Sequence, residues 1–170
     1  GFIKDNKLTL QVDFSLSNIR GFRKLPQLNF TNPDEPYHDI ALIIRGKKVH
    51  VSKQYLSIHS PVFKTMFYGN CLNKDKKEFK IHDTNYQDFV ELLYVIYPPH
   101  KNITCNNFQY LLKLSDRFKI SDVITQCEQY LFLSDYSVAE KLLFAGRYRL
   151  IDLQNHCLEQ LKSIKEVTNL

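Results

Sequence analysis

A chain of 170 residues, 44% hydrophobic and with only five Gly and six Pro, can bury one core of ordinary size plus a small appendage, which excludes a disordered tail. Its formal net charge of +5 comes from 23 basic against 18 acidic residues without a block of five like charges. Segments such as Lys74 to Lys80 (KDKKEFK) therefore read as solvated loop, and nucleic acid is not expected as a partner. No apolar run approaches the ~18 residues that span a bilayer, so no membrane is expected either.

In chain order, Leu8, Leu10, Val12, Phe14 and Leu16 alternate with polar residues, the period-two pattern of a half-buried strand. Its pairing partners are expected upstream of Gly1 or in the following domain. The polar, Pro-containing stretch from Ser17 to Glu35 reads as a linker. Ile40 to Ile44 form a nearly all-apolar strand that turns at Arg45-Gly46-Lys47 into a short second strand, a hairpin. Two short helices then meet at Ser60-Pro61, with Tyr55 and Leu56 on one side and Phe63, Met66 and Phe67 on the other at helical spacing. Ser52 and Ser60 suit N-caps, Pro61 a first helical position, and Gly69 a left-handed helix end.

Glu78 to Ile81 predict a short strand, and Asn85 to Tyr97 a helix with Phe89, Leu92, Leu93 and Ile96 inward, stopped by Pro98-Pro99. Asn106 or Asn107 is expected to cap the next helix (Phe108, Leu111, Leu112), and Ser121 or Asp122 to open another with Val123, Ile124, Cys127 and Leu131. Ser137 and Glu140 have capping-box spacing before a last helical pair, whose second member carries Leu150, Leu153, Cys157, Leu158 and Leu161 on one stripe. The fold class expected is α+β, mainly α: a small sheet flanked by a cluster of helices, with a C-terminal helical pair.

Catalytic chemistry is not legible. The glycines are isolated, leaving no phosphate loop, and the cysteines and histidines form neither C-x-x-C nor H-E-x-x-H. His50 and His59 beside Cys71, and Asp83 with Asp88, are the pairs that could be imagined as reactive. A strand position for His50, a helix end for His59 and a helix entry for the aspartates make structural roles simpler. No catalytic residue, metal or cofactor is expected. Four cysteines more than twenty residues apart, Cys127 and Cys157 at apolar helical positions, favour a reducing intracellular compartment, cytoplasmic or nuclear. Phe22, Phe30, Tyr68 and Tyr97 fall in the linker or at helix ends, which suggests surfaces covered by another chain or domain.

Taken together, Asp39-Ile40-Ala41-Leu42, Val49 to Phe67 with the Ser60-Pro61-Val62-Phe63 corner, Phe89 to Leu93 with Ile96-Tyr97, and Leu114 to Phe118 form an ordered series that resembles the BTB/POZ domain. Residues 1–16 look like the last strand of a MATH domain, 17–35 a linker, 36–134 the BTB/POZ domain and 135–170 a short helical extension. The resemblance to MATH-BTB substrate adaptors implies a homodimer whose interface includes Tyr37, Asp39, Lys53, Leu56, His59 and Phe63. It also implies a groove for the cullin of a ubiquitin ligase at Tyr68, Cys71, Leu72, Asn73, Phe118, Lys119 and Ile120, and a substrate held by the upstream MATH domain. Two departures stand out: Ser52 replaces the family's frequent histidine, and Cys71-Leu72-Asn73 lacks the glutamate usual at the third position of that cullin-binding motif.

Overall fold

The computed structural model describes residues 3–4, 7–8, 28–33, 36–69, 75–98 and 100–168. A two-stranded antiparallel ladder joins β1 (Ile3–Lys4) to β2 (Lys7–Leu8). The remainder of the strand expected over residues 7–16, and Phe22, lie outside the described residues.

The main sheet has the order β4-β3-β5. β3 (Ile40–Ile44) is central, pairing antiparallel with β4 (Lys47–Val51) and parallel with β5 (Glu78–Ile81), Leu42 lying beside both Val49 and Phe79. A central strand covered on both faces explains the apolar run: Ile40, Ala41, Leu42 and Ile44 are all buried. Ile44 pairs with Lys47, so the turn is the two residues Arg45-Gly46, with φ of 48° and 80°. Positive φ at both positions is the turn whose twist suits a two-residue hairpin; Gly46 adopts it without strain.

α1 (Lys53–His59) and α2 (Pro61–Tyr68) meet at Ser60, whose Oγ accepts from Phe63 N at 3.1 Å while Pro61 occupies the first turn. The corner predicted from Ser60-Pro61 is present. Gly69 ends α2 with φ −69°, ordinary right-handed backbone rather than the left-handed geometry expected, because its N–H bonds Thr65 O as one more helical turn.

α3 (Tyr86–Ile96) is capped by Asn85, and α4 (Phe108–Phe118) and α5 (Ser121–Leu133) form an antiparallel hairpin. Asn107 sits at the N-cap of α4 but gives the helix no side-chain bond. Its amide instead closes the preceding turn, accepting from Thr104 N at 2.7 Å and donating to Asn102 O at 3.1 Å. α6 (Val138–Tyr148) begins with the predicted capping box, Glu140 N donating to Ser137 Oγ and Ser137 N to Glu140 Oε2. The Ser137 hydroxyl, which donates to Glu140 Oε2 at 2.6 Å, and then the Ser137 N–H hold the Glu140 carboxyl below its ordinary value. α7 (Ile151–Thr168) follows, burying Leu153 and Cys157 but leaving Leu158 and Leu161 at 43% and 37% exposure. The stripe expected to run to Leu161 therefore leaves the core after Cys157.

One contiguous core runs from the sheet through α5 into α6 and α7. Phe30 and Tyr97, expected as surface aromatics, belong to it: they are 1% and 5% exposed, with ring centroids 5.1 Å apart. His50 N donates to Phe30 O at 2.7 Å, which stitches the segment before the sheet onto β4.

Candidate functional site

The entry to α1 is tied down from several directions. Asp39 Oδ1 accepts from Lys53 N at 2.6 Å, Ser52 Oγ accepts from Tyr55 N at 3.3 Å, and Tyr97 Oη accepts from Ser52 N at 3.2 Å. Tyr55 donates its hydroxyl proton to Ile96 O, its ring 4.3 Å from that of Tyr97. Burial above all, with the Ser52 bond opposing, pushes the Tyr97 phenol well above its ordinary pKa and keeps it neutral.

With its inner side so anchored, α1 turns Gln54 and Ile58, one helical turn apart, outward. Ile58 is 73% exposed, and with Gln54, Ser57, Lys64 and Tyr68 it lines an open cleft of about 430 Å³. Tyr68 and Tyr37 are also half exposed. Of the residues assigned to a self-association surface, Tyr37 and Asp39 are on the outside. Leu56 and Phe63 are fully buried, and Lys53 is nearly so, its ammonium 5.3 Å from the centre of the Tyr68 ring and 5.7 Å from that of Phe79. His59 Nδ1 lies 3.1 Å from Asp122 Oδ2, linking α1 to α5. Leu56 and Phe63 can therefore support such a surface only by positioning α1 and α2. Sequence reasoning missed Ile58, although an isoleucine at a helix position off the buried stripe was the available signal.

The second predicted surface divides similarly. Phe118 stacks on Phe63 with centroids 4.7 Å apart and is 2% exposed, and Ile120 is fully buried. Both were expected as contact residues, but aromatic packing at the end of α4 draws them into the core. Lys119 is exposed, its ammonium 2.8 Å from Asp116 Oδ1, and Tyr68 stands at the end of α2. Cys71, Leu72 and Asn73 lie outside the described residues.

The pairs imagined as reactive have structural places. His50 pairs with Ala41 in the β3–β4 ladder, and Asp83 accepts Arg117 at its backbone carbonyl, while Asp88 sits in the first turn of α3. Burial pushes the Cys127 thiol up to about 12, far from the thiolate a nucleophile needs. Among the described residues no group of three His, Cys, Asp or Glu is placed to hold a metal, and no helix is long and apolar enough to cross a membrane.

A family model described as BTB/POZ domain matches residues 29–135, from just before Phe30 to just past α5. The chain belongs to the BTB/POZ family. It is 41% identical over 170 residues to BTB and MATH domain-containing protein 36 of Caenorhabditis elegans, covering 99% of this chain and 53% of that protein. With protein 38 of the same series it shares 35% identity over 98% of the chain and 43% of the relative. The chain thus spans about half the length of the curated relatives it matches. The BTB domain of zebrafish PATZ1 superposes with a TM-score of 0.49 at 19% identity, over 58% of this chain and 78% of that one. A BTB/POZ domain is a protein-interaction module, and the architecture described above is α+β, as expected.

Proposed function

We propose that the chain is a non-catalytic, homodimeric adaptor of a cullin-RING ubiquitin ligase, working in the cytoplasm or nucleus. In this reading the BTB/POZ dimer and the α6–α7 extension hold the cullin, and a MATH domain of the longer protein holds the substrate. The observation that carries the reading is the alignment with the two nematode proteins, whose names join BTB to MATH. It takes in 99% and 98% of the chain, residues before the BTB/POZ match and the extension included. The exposed Ile58, Tyr68 and Tyr37 support self-association, since apolar side chains left at a surface favour burial against a second copy. The buried thiols of Cys127 and Cys157, both unpaired, fit a reducing compartment.

On the cullin side Tyr68 and Lys119 are the described residues able to touch a partner, while Phe118 and Ile120 hold that edge in shape. Asn73 takes the place of the family's glutamate. Calorimetry with a cullin N-terminal region tests this. Binding in the micromolar range is expected, tightened about fivefold, or ~1 kcal/mol, by Asn73→Glu through a charge-assisted contact. Loss of all binding in both forms would leave the second reading, a BTB/POZ module used for self-association or transcriptional recruitment, which the missing glutamate favours.

A further inference from the structure

The two edges of the main sheet differ. On the β4 side His50 N donates to Phe30 O, so the chain itself covers that edge. On the β5 side Ala41 N donates to Lys77 O, and with Ala41 beside Glu78 and Ile43 beside Lys80 the parallel ladder uses the backbone groups of Lys77, Phe79 and Ile81. The N–H and C=O of Glu78 and Lys80 therefore point away from the sheet, and no described residue bonds them. A cleft of about 690 Å³ runs along this open edge, lined by Ile43, Met66, Lys76, Glu78, Phe79 and Lys80.

The side chains beside the edge have a definite pattern. β5 alternates exposed Glu78 and Lys80 with buried Phe79 and Ile81, so a strand added beside it meets charge on one face and the apolar margin of Met66 and Phe79 on the other. Lys48 of β4 already pairs with Glu78. Lys76, Lys77 and Lys80 have no carboxylate partner among the described residues, and Lys76 holds its ammonium 5.2 Å from the centre of the Phe79 ring. These three cations fix the sign of an occupant. Like charges keep the edge of a second copy away, whereas an acidic strand is attracted.

We propose that the β5 edge takes an extended acidic segment of a partner protein as a fourth strand of the sheet. The outward backbone groups of Glu78 and Lys80 supply the main-chain hydrogen bonds, which are indifferent to sequence. Specificity comes from the side chains: carboxylates on the face of Lys80 are held by the lysines, and the alternate, apolar residues cover Met66 and the margin of Phe79. An acidic–apolar alternation is the pattern that satisfies both faces at once. The inference goes beyond the adaptor reading and does not rest on it, since neither cullin binding nor self-association enters its test.

Nuclear magnetic resonance on the isotopically labelled 170-residue chain tests it, with a capped seven-residue peptide alternating glutamate and valine as probe. One control is the same peptide N-methylated throughout, which keeps the charge but cannot pair as a strand; the other has lysine in place of glutamate. Saturable shifts centred on Lys76 to Ile81 are expected in the high micromolar range, and the amide protons of Glu78 and Lys80 should exchange about tenfold more slowly in the complex. Both controls should fail to bind. Lys80→Glu, at an exposed side chain without a described ion pair, should keep the melting temperature and weaken the probe about tenfold. Unsaturable shifts, equal binding of either control, binding that leaves the Glu78 and Lys80 amides unprotected, or unchanged affinity in Lys80→Glu would each overturn the proposal.

Discussion

The hydroxyl of Ser60 holds two helices at once, accepting from Phe63 N at the start of α2 and donating to Phe118 O at the end of α4. The first bond was legible in the sequence, because a serine before proline and an apolar helical run is a cap signal. The second was not: its acceptor is a backbone carbonyl 58 residues away, and no local pattern announces it. The same applies to Phe118, Phe63 and Leu56, which the family resemblance marked as contact residues, whereas ring stacking and full burial make them supports. Ser60→Ala leaves a buried donor and a buried acceptor unpaired, so a loss of ~2–3 kcal/mol is expected. Urea denaturation measures it, and a loss below ~0.5 kcal/mol would mean that neither bond contributes as described.

Among the elements, most existence and order could be read from periodicity, while several ends could not. α4 and α6 both finish on a left-handed residue, Lys119 with φ 54° and Arg149 with φ 58°. In each case the next residue, Ile120 or Leu150, is buried and bonds back five residues, to Ser115 O or Ala145 O. This closing motif is usually built on glycine, the signal sought at Gly69, where the backbone is right-handed instead. Burial of the following apolar residue offsets the strain of a left-handed lysine or arginine. Arg149→Gly removes that strain where the side chain is exposed, and should raise stability by ~0.5–1 kcal/mol, a few degrees in melting temperature by calorimetric scan. A decrease would show that the Arg149 side chain contributes more than its backbone costs.

Across the whole molecule, the extension is continuous with the BTB/POZ core. Phe108 of α4 packs on Tyr130, Tyr136 and Phe144 with centroids between 5.2 and 5.4 Å, and Glu128 of α5 accepts from Leu153 N in the first turn of α7 at 3.0 Å. Placing a carboxylate at the positive end of a helix from a different helix fixes the angle between the two. The sequence reading, which treats the extension as separate, had no means to see a contact between distant side chains. Nor could it place Phe30, whose polar neighbours made it look like linker although it fills a gap beside Tyr94 and Tyr97. Among the apolar side chains such a module leaves outside is Ile58 on α1, and the central claim is that the α1 face pairs with a second copy. Sedimentation equilibrium at micromolar concentration tests that claim most directly. The chain should run as a dimer, and Ile58→Asp, exposed and so harmless to the core, should shift it toward a folded monomer of unchanged helicity; a chain that is already a stable, folded monomer before the substitution would contradict the account.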